Sequence, residues 1–156
     1  RGSVIPLFNH YDKIGKILPV TDLEMTRFSI TMHDAIELVF NAIKNSFGGE
    51  IFIPKIPSYK LSDLVAAINP KKGFKIIGMR SGEKMHEELI NYDESENIYD
   101  FGKYYIHLTD NLISGDIQKS IKLIQKKKIN KKFTYNSKDN SYLTIKDLKK
   151  LIVENT

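Results

Sequence analysis

With 156 residues, 41% of them hydrophobic and 28% charged, the chain has an ordinary globular composition. Its length suits one domain, which would bury roughly 68–70% of its unfolded surface. The absence of cysteine excludes disulfide frameworks, thiolate catalysis and cysteine-ligated zinc, and fits a reducing compartment. No apolar run approaches the roughly 18 residues of a membrane helix. The net charge of +5 is local. Lys119, Lys122, Lys126, Lys127, Lys128, Lys131 and Lys132 form a run without an acid, and the remainder is slightly acidic.

The chain starts without a methionine. Arg1-Gly2-Ser3-Val4-Ile5-Pro6 reads as the interior of a loop entering a helix, so the expectation is the C-terminal part of something longer. Ser3 is placed to cap a helix over Val4 to Ile14, with Pro6 in its first turn and Gly15 near its end. Ile17 to Val20 and Arg27 to Ile30 read as short extended segments. Thr31 to Phe47 is the clearest helix. Thr31 and Asp34 have capping-box spacing, and Ile36, Val39, Phe40, Ile43 and Phe47 make one apolar stripe. Gly48-Gly49 ends it. Glu50 to Pro54 reads as a strand stopped by Pro54 and Pro57.

Ser58 is the expected cap of a further helix, with Leu61, Leu64, Val65 and Ile68 on one face and Asn69-Pro70 as its stop. Phe74 to Met79 is rich in strand formers. After a polar, glycine-containing loop, Lys84 is expected to open a short helix through Met85, Leu89 and Ile90. Tyr99 to Leu108 reads as extended, and Ile113 to Ile129 as partly helical. Thr144 and Asp147 cap the last helix, which carries Leu148, Leu151 and Ile152. Short strands alternating with helices define an α/β or α+β class, not a bundle or a sandwich.

Arg80-Ser81-Gly82-Glu83 is the most informative loop. Arginine presents a planar fork to phosphate oxygens. A carboxylate three residues on can accept from ribose hydroxyls, and the glycine allows a sharp turn. The alternative is a surface turn holding a solvated ion pair. Arg27 is either a second phosphate-binding arginine or a surface residue whose stem covers apolar area. Gly2 to Pro6 lead into a helix N-terminus, where backbone N–H groups can receive an anion or simply be capped. His86-Glu87-Glu88 lacks the second histidine of an i, i+4 zinc pair. The lysine run could meet nucleic-acid phosphates, but few aromatics interleave with it, and a solvated face accounts for it. No nucleic-acid partner is expected. No G-x-G-x-x-G occurs in the sequence, so a dinucleotide would be held by polypeptide outside it.

Several segments together resemble the C-terminal part of one family. They are Arg1 to Pro6; Leu18-Pro19-Val20-Thr21-Asp22 followed by Met25-Thr26-Arg27-Phe28; Gly48 to Lys55; Arg80-Ser81-Gly82-Glu83-Lys84-Met85-His86-Glu87; and Phe133 to Ser137 through the final helix. The family is the polysaccharide-biosynthesis nucleotide-sugar enzymes of the extended short-chain dehydrogenase/reductase superfamily, closest in type to inverting UDP-N-acetylglucosamine 4,6-dehydratases. The resemblance implies an NAD(P)-binding Rossmann-type parent, with residues 1–156 as its C-terminal UDP-sugar-binding domain. It also implies that NADP (or NAD) and the catalytic Tyr-x-x-x-Lys pair belong to the missing N-terminal domain, so no catalytic residue is carried over.

The substrate residues are carried over one at a time. Arg27 and Arg80 match diphosphate-binding arginines, and Glu83 the acid that holds the uridine ribose. Gly2, Ser3, Val4, Ile5 and Pro6 match the loop and helix start near the nucleotide. Asn136, Asp139 and Asn140 lie in a polar C-terminal stretch that approaches the substrate. Ser29 stands where an aromatic is usual, and Ser81 where proline is usual.

In the parent, the implied reaction passes a hydride from sugar C4 to the nicotinamide, eliminates water across C5–C6, returns the hydride to C6 and inverts C5. The implied setting is cytoplasmic synthesis of sugars for bacterial surface polysaccharide or flagellin glycan. A homo-oligomer is implied, and longer family members add an N-terminal membrane region. The alternatives are a UDP-sugar 4-epimerase of the same family and a non-catalytic binding or oligomerisation remnant.

Overall fold

A computed structural model describes residues 4–46, 48–68, 70–108 and 127–154. In chain order the elements are α1 (Val4–Lys13), β1 (Leu18–Val20), β2 (Thr26–Phe28), α2 (Met32–Asn45), β3 (Ile51–Pro54), β4 (Ser58–Lys60), α3 (Leu61–Ile68), β5 (Phe74–Ile76), β6 (Glu88–Ile90), a 3₁₀ turn (Asp93–Asn97), β7 (Ile98–Asp100), β8 (Tyr104–His107), β9 (Tyr135–Asn136) and α4 (Ile145–Glu154). The mixture of short strands and helices is the α/β class expected. The chain divides into two compact units. One comprises Arg1–Ser29, Pro57–Glu87 and Ser137–Thr156; the other comprises Ile30–Ile56 and Glu88–Asn136.

In the first unit, β1 and β5 pair in parallel and β2 and β4 antiparallel, with Arg27 opposite Tyr59. Phe8 of α1, Leu18 and Val20 of β1, Met25, Leu64 of α3 and Leu148 of α4 form the centre of its core, each almost wholly buried. Burying such a side chain stabilises by about 1.5–3 kcal/mol. Helix α4 starts on the expected capping box: Thr144 Oγ1 accepts from Asp147 N at 3.2 Å, and Thr144 N donates to Asp147 Oδ2 at 3.1 Å.

Two expectations are corrected in this unit. Ser58 does not cap a helix; it lies in β4. Its N–H donates to Ser141 O and its C=O accepts from Leu143 N, both at 2.8 Å. The first N–H groups of α3 are satisfied by backbone instead, Leu61 N on Met25 O (2.9 Å) and Ser62 N on Leu23 O (3.1 Å). Nor does a helix open at Lys84. The carbonyls it would use internally have distant partners: Met85 O accepts from Thr26 N (3.0 Å) and Glu87 O from Ser137 N (2.8 Å). Glu88–Ile90 is strand β6, antiparallel to β9 within the second unit.

The second unit holds a three-stranded sheet ordered β3-β8-β7. Tyr99, Ile106 and Leu108 are buried in it, packed by Phe52, Phe101 and Tyr104. The extended run expected over Tyr99 to Leu108 is a hairpin. It turns at Gly102, whose φ of +81° suits glycine, and whose N–H donates to Asp100 Oδ1 at 2.7 Å. Thr31 caps α2 as expected, accepting from Asp34 N at 3.1 Å. Its apolar stripe is not buried: no residue of α2 is.

The helix expected over Ile113 to Ile129 lies outside the described residues except at its end. There the lysines have aromatic and acidic neighbours. Lys127 Nζ lies 4.1 Å from the centre of the Phe101 ring, and Lys132 Nζ 2.7 Å from Glu96. Among the described residues no helix is long and apolar enough to cross a membrane.

Candidate functional site

The site is built in the first unit from three segments far apart in sequence: β2, the loop from Arg80 to Glu87, and the stretch from Ser137 to Tyr142. Strand β2 alternates, so Thr26 and Arg27 face opposite ways. Arg27 is half-buried, and its guanidinium is folded in. Nη1 donates to Thr26 O (2.7 Å) and to Met85 O (3.3 Å), Nη2 to Met25 Sδ (3.4 Å), and Nε lies 3.6 Å from Glu87 Oε1. Across the ladder stands Tyr59. Burial pushes its phenol up to about 12 against the pull of the Arg27 charge.

The Arg80–Glu83 segment is a closed turn. Arg80 N donates to Glu83 Oε2 at 3.0 Å and Glu83 N to Arg80 O at 3.1 Å. Gly82 sits at φ +85°, a conformation glycine adopts without strain. The turn holds the Glu83 carboxylate against the backbone and leaves the Arg80 side chain exposed, with no ion pair among the described residues. The surface-turn alternative is therefore right about local structure, but not about an Arg80–Glu83 ion pair. One oxygen of the carboxylate accepts from the Arg80 amide.

On the Thr26 side, Thr26 Oγ1 lies 2.8 Å from His86 Nδ1 and 2.7 Å from Ser137 Oγ. Ser137 Oγ also accepts from Glu87 N at 2.8 Å and lies 3.2 Å from Thr26 O as a donor. Thr26 is 1% and Ser137 0% exposed, so this is an interior polar network with its hydrogen bonds made. It opens onto a cleft of about 490 Å³ lined by Glu24, Thr26, Lys60, His86, Lys138, Asp139 and Tyr142.

Of the residues expected at the site, Arg27 meets the end of the Arg80–Glu87 loop through Met85 and Glu87. Asp139 lines the cleft, and Asn140 Nδ2 donates to Ser58 Oγ at 2.9 Å. Asn136 belongs to the second unit, on β9 opposite Glu88. Val4, Ile5 and Pro6 form the first turn of α1. Ile5 points into the core and Pro6 is exposed. Gly2 and Ser3 lie outside the described residues. Sequence reading missed Thr26 and Ser137, and weighed His86 only as a metal ligand. Their sequence separations of 60 and 111 residues leave no local signal.

A sequence model of the polysaccharide biosynthesis protein family matches residues 1–109. The chain belongs to that family. Over 90% of its length it is 43% identical to a Campylobacter jejuni protein named UDP-N-acetylglucosamine 4,6-dehydratase (inverting), covering 43% of that protein. Over 98% of its length it is 33% identical to the UDP-glucose 4-epimerase of Rickettsia typhi, covering 46% of it. Its fold is similar to the X-ray structure of Pen from Bacillus thuringiensis, with a TM-score of 0.80 and 32% identity over all of this chain and 45% of the other. The chain thus spans somewhat under half the length of the relatives it matches.

Proposed function

We propose that this chain is the UDP-sugar-binding portion of a UDP-N-acetylglucosamine 4,6-dehydratase of the inverting type, an NADP-dependent lyase acting in the cytoplasm on sugars for surface polysaccharide or flagellin glycan. The observation that carries the reading is the 43% identity to the dehydratase over 90% of the chain. The physical support is the pairing of two arginines with a dianionic ligand class. Arg80, without an ion pair among the described residues, extends its fork from a hydrogen-bonded turn, and Arg27 lies beside the same loop. Glu83 is held by the Arg80 amide at one carboxylate oxygen, and its other oxygen would meet the ribose hydroxyls. Ile5 packs in the core, so a contact from Ile5 itself would come through its backbone.

No glycine-rich dinucleotide fingerprint occurs in this sequence, and no residue here is assigned to the cofactor. The part of the reaction given to this chain is binding and orientation of the nucleotide diphosphate. The homologous Rickettsia 4-epimerase supports a second reading, a UDP-sugar 4-epimerase, which shares the nucleotide site and differs in the sugar product. The whole protein is proposed as a homo-oligomer.

Isothermal titration of UDP-N-acetylglucosamine into the chain, with Arg80→Ala alongside, tests the reading. Binding that the variant loses is the expected result. Equal affinity for both overturns the assignment of Arg80. If the wild-type chain does not bind, the titration is repeated on a form extended upstream. Absence of binding there overturns the nucleotide-sugar reading itself. Product analysis of the extended protein then separates dehydration from epimerisation.

A further inference from the structure

We propose that His86 is a positioning residue for the Arg27 site, acting through the Thr26 and Ser137 hydroxyls; the inference rests on the nucleotide-binding reading above. The two carbonyls that hold the Arg27 guanidinium belong to Thr26 and Met85. Both are set by this network. His86 Nδ1 grips the Thr26 hydroxyl at 2.8 Å, and Met85, its chain neighbour, accepts the Thr26 N–H at 3.0 Å. Ser137 then ties Thr26 to Glu87, the carboxylate facing Arg27 Nε. The Thr26 and Met85 carbonyls and Glu87, three of the four groups that hold Arg27, are thus each joined to His86 by this network or by the chain; the fourth, Met25 Sδ, is not.

The hydroxyl protons give the network a direction. When His86 Nδ1 carries no proton, Thr26 Oγ1–H donates to it, and the Ser137 hydroxyl has two acceptors in reach, Thr26 Oγ1 and Thr26 O. When Nδ1 carries a proton, it donates to Thr26 Oγ1. Thr26 must then donate to Ser137 Oγ, and Ser137 is left only Thr26 O, the carbonyl on which Arg27 Nη1 rests. The proton position at His86 Nδ1 thus decides whether Ser137 adds a second donor to the carbonyl on which Arg27 rests.

The charged and titratable groups around His86 are Glu24, Lys60, Lys138, Asp139 and Tyr142 in the cleft, with Glu87 and Arg27 beside it. Two ammonium groups face two carboxylates there.

The test titrates UDP, by calorimetry at one fixed pH, into whichever form of the protein binds it. Wild type, His86→Asn, His86→Gln and Thr26→Val are compared, with circular dichroism as the folding control. Asparagine places an amide where Nδ1 stands; glutamine places one where Nε2 stands. His86→Asn should stay within about twofold of wild type. His86→Gln and Thr26→Val should bind about tenfold more weakly, as expected for a buried hydroxyl deprived of its partner. Equal affinities for the Asn and Gln variants overturn the proposal while leaving the nucleotide site standing. Absence of UDP binding by every form of the wild type overturns both.

Discussion

Helix α3 has eight residues and buries four of them, whereas α2 has 14 and buries none. Both carry an apolar stripe at helical spacing. In α3, Leu61, Leu64, Val65 and Ala67 face α1, α4 and the strands of the first unit. In α2, Val39 is 56%, Phe40 67% and Ile43 72% exposed. An amphipathic pattern states which face of a helix is apolar, and leaves open what covers it. The two helices are therefore held differently: α3 by full burial, α2 by its cap, its own backbone and the half-buried Ala35, Leu38 and Ala42 rather than by its stripe.

The largest effect that would sharpen this contrast is expected in α3. Leu64 is fully buried, so Leu64→Ala should destabilise the chain by about 2–5 kcal/mol, measured by urea unfolding. A loss below about 1 kcal/mol would mean that the α1–α3–α4 core is not what holds the first unit. Next comes Tyr59, just ahead of α3. Its phenol rises from 10.0 to about 12 through burial. A raised folded value means that the neutral form is favoured in the fold. That stabilisation is fully present below pH 10 and is lost as the pH climbs through about 12, about 2–3 kcal/mol in all. Tyr59→Phe should flatten the alkaline limb of the stability profile; an unchanged limb would place the lost stability elsewhere. Tyr99 and Tyr105, also raised by burial, act in the same direction in the second unit.

What the sequence made legible follows the range of the interactions. The caps at Thr31 and Thr144 and the stripe of α3 are set within four or five residues, and all stand where spacing puts them; α2 instead ends at Asn45, with Ser46 extended at its C-cap, ahead of the stop expected at Gly48-Gly49. Ser58 and Lys84 misled because their segments have ordinary helix-start chemistry, but their backbone groups are taken by Ser141, Leu143 and, past Lys84, by Thr26 and Ser137. Such pairings are invisible to local propensity. The same division runs through the site. The Arg80–Glu83 turn is local and is readable as a turn from its own residues. The Thr26–His86–Ser137 network is assembled from three distant segments. Arg27 stood out by resemblance, whereas its folded-in guanidinium is a product of the Met85 and Glu87 contacts.

The smaller effects fall in α2, and their order is the sharper test. Thr31 Oγ1 accepts from Asp34 N and also donates to Asp34 Oδ2 at 2.6 Å. Thr31→Ala should cost about 0.5–2 kcal/mol, because an N–H at the helix start loses its acceptor. Ile43→Lys removes a large apolar group, which in a core would be the costlier change. At 72% exposure there is little burial to lose, and lysine is as good a helix former as most residues. The expected change is within about 0.5 kcal/mol, with higher solubility as the visible gain. Urea unfolding of the two variants side by side decides the matter. If Ile43→Lys proves costlier than Thr31→Ala, α2 is held in solution by an apolar contact at Ile43, and the contrast between the two helices fails. If the cap proves costlier, α2 stands on local hydrogen bonding, and its stripe contributes nothing to the stability of this chain.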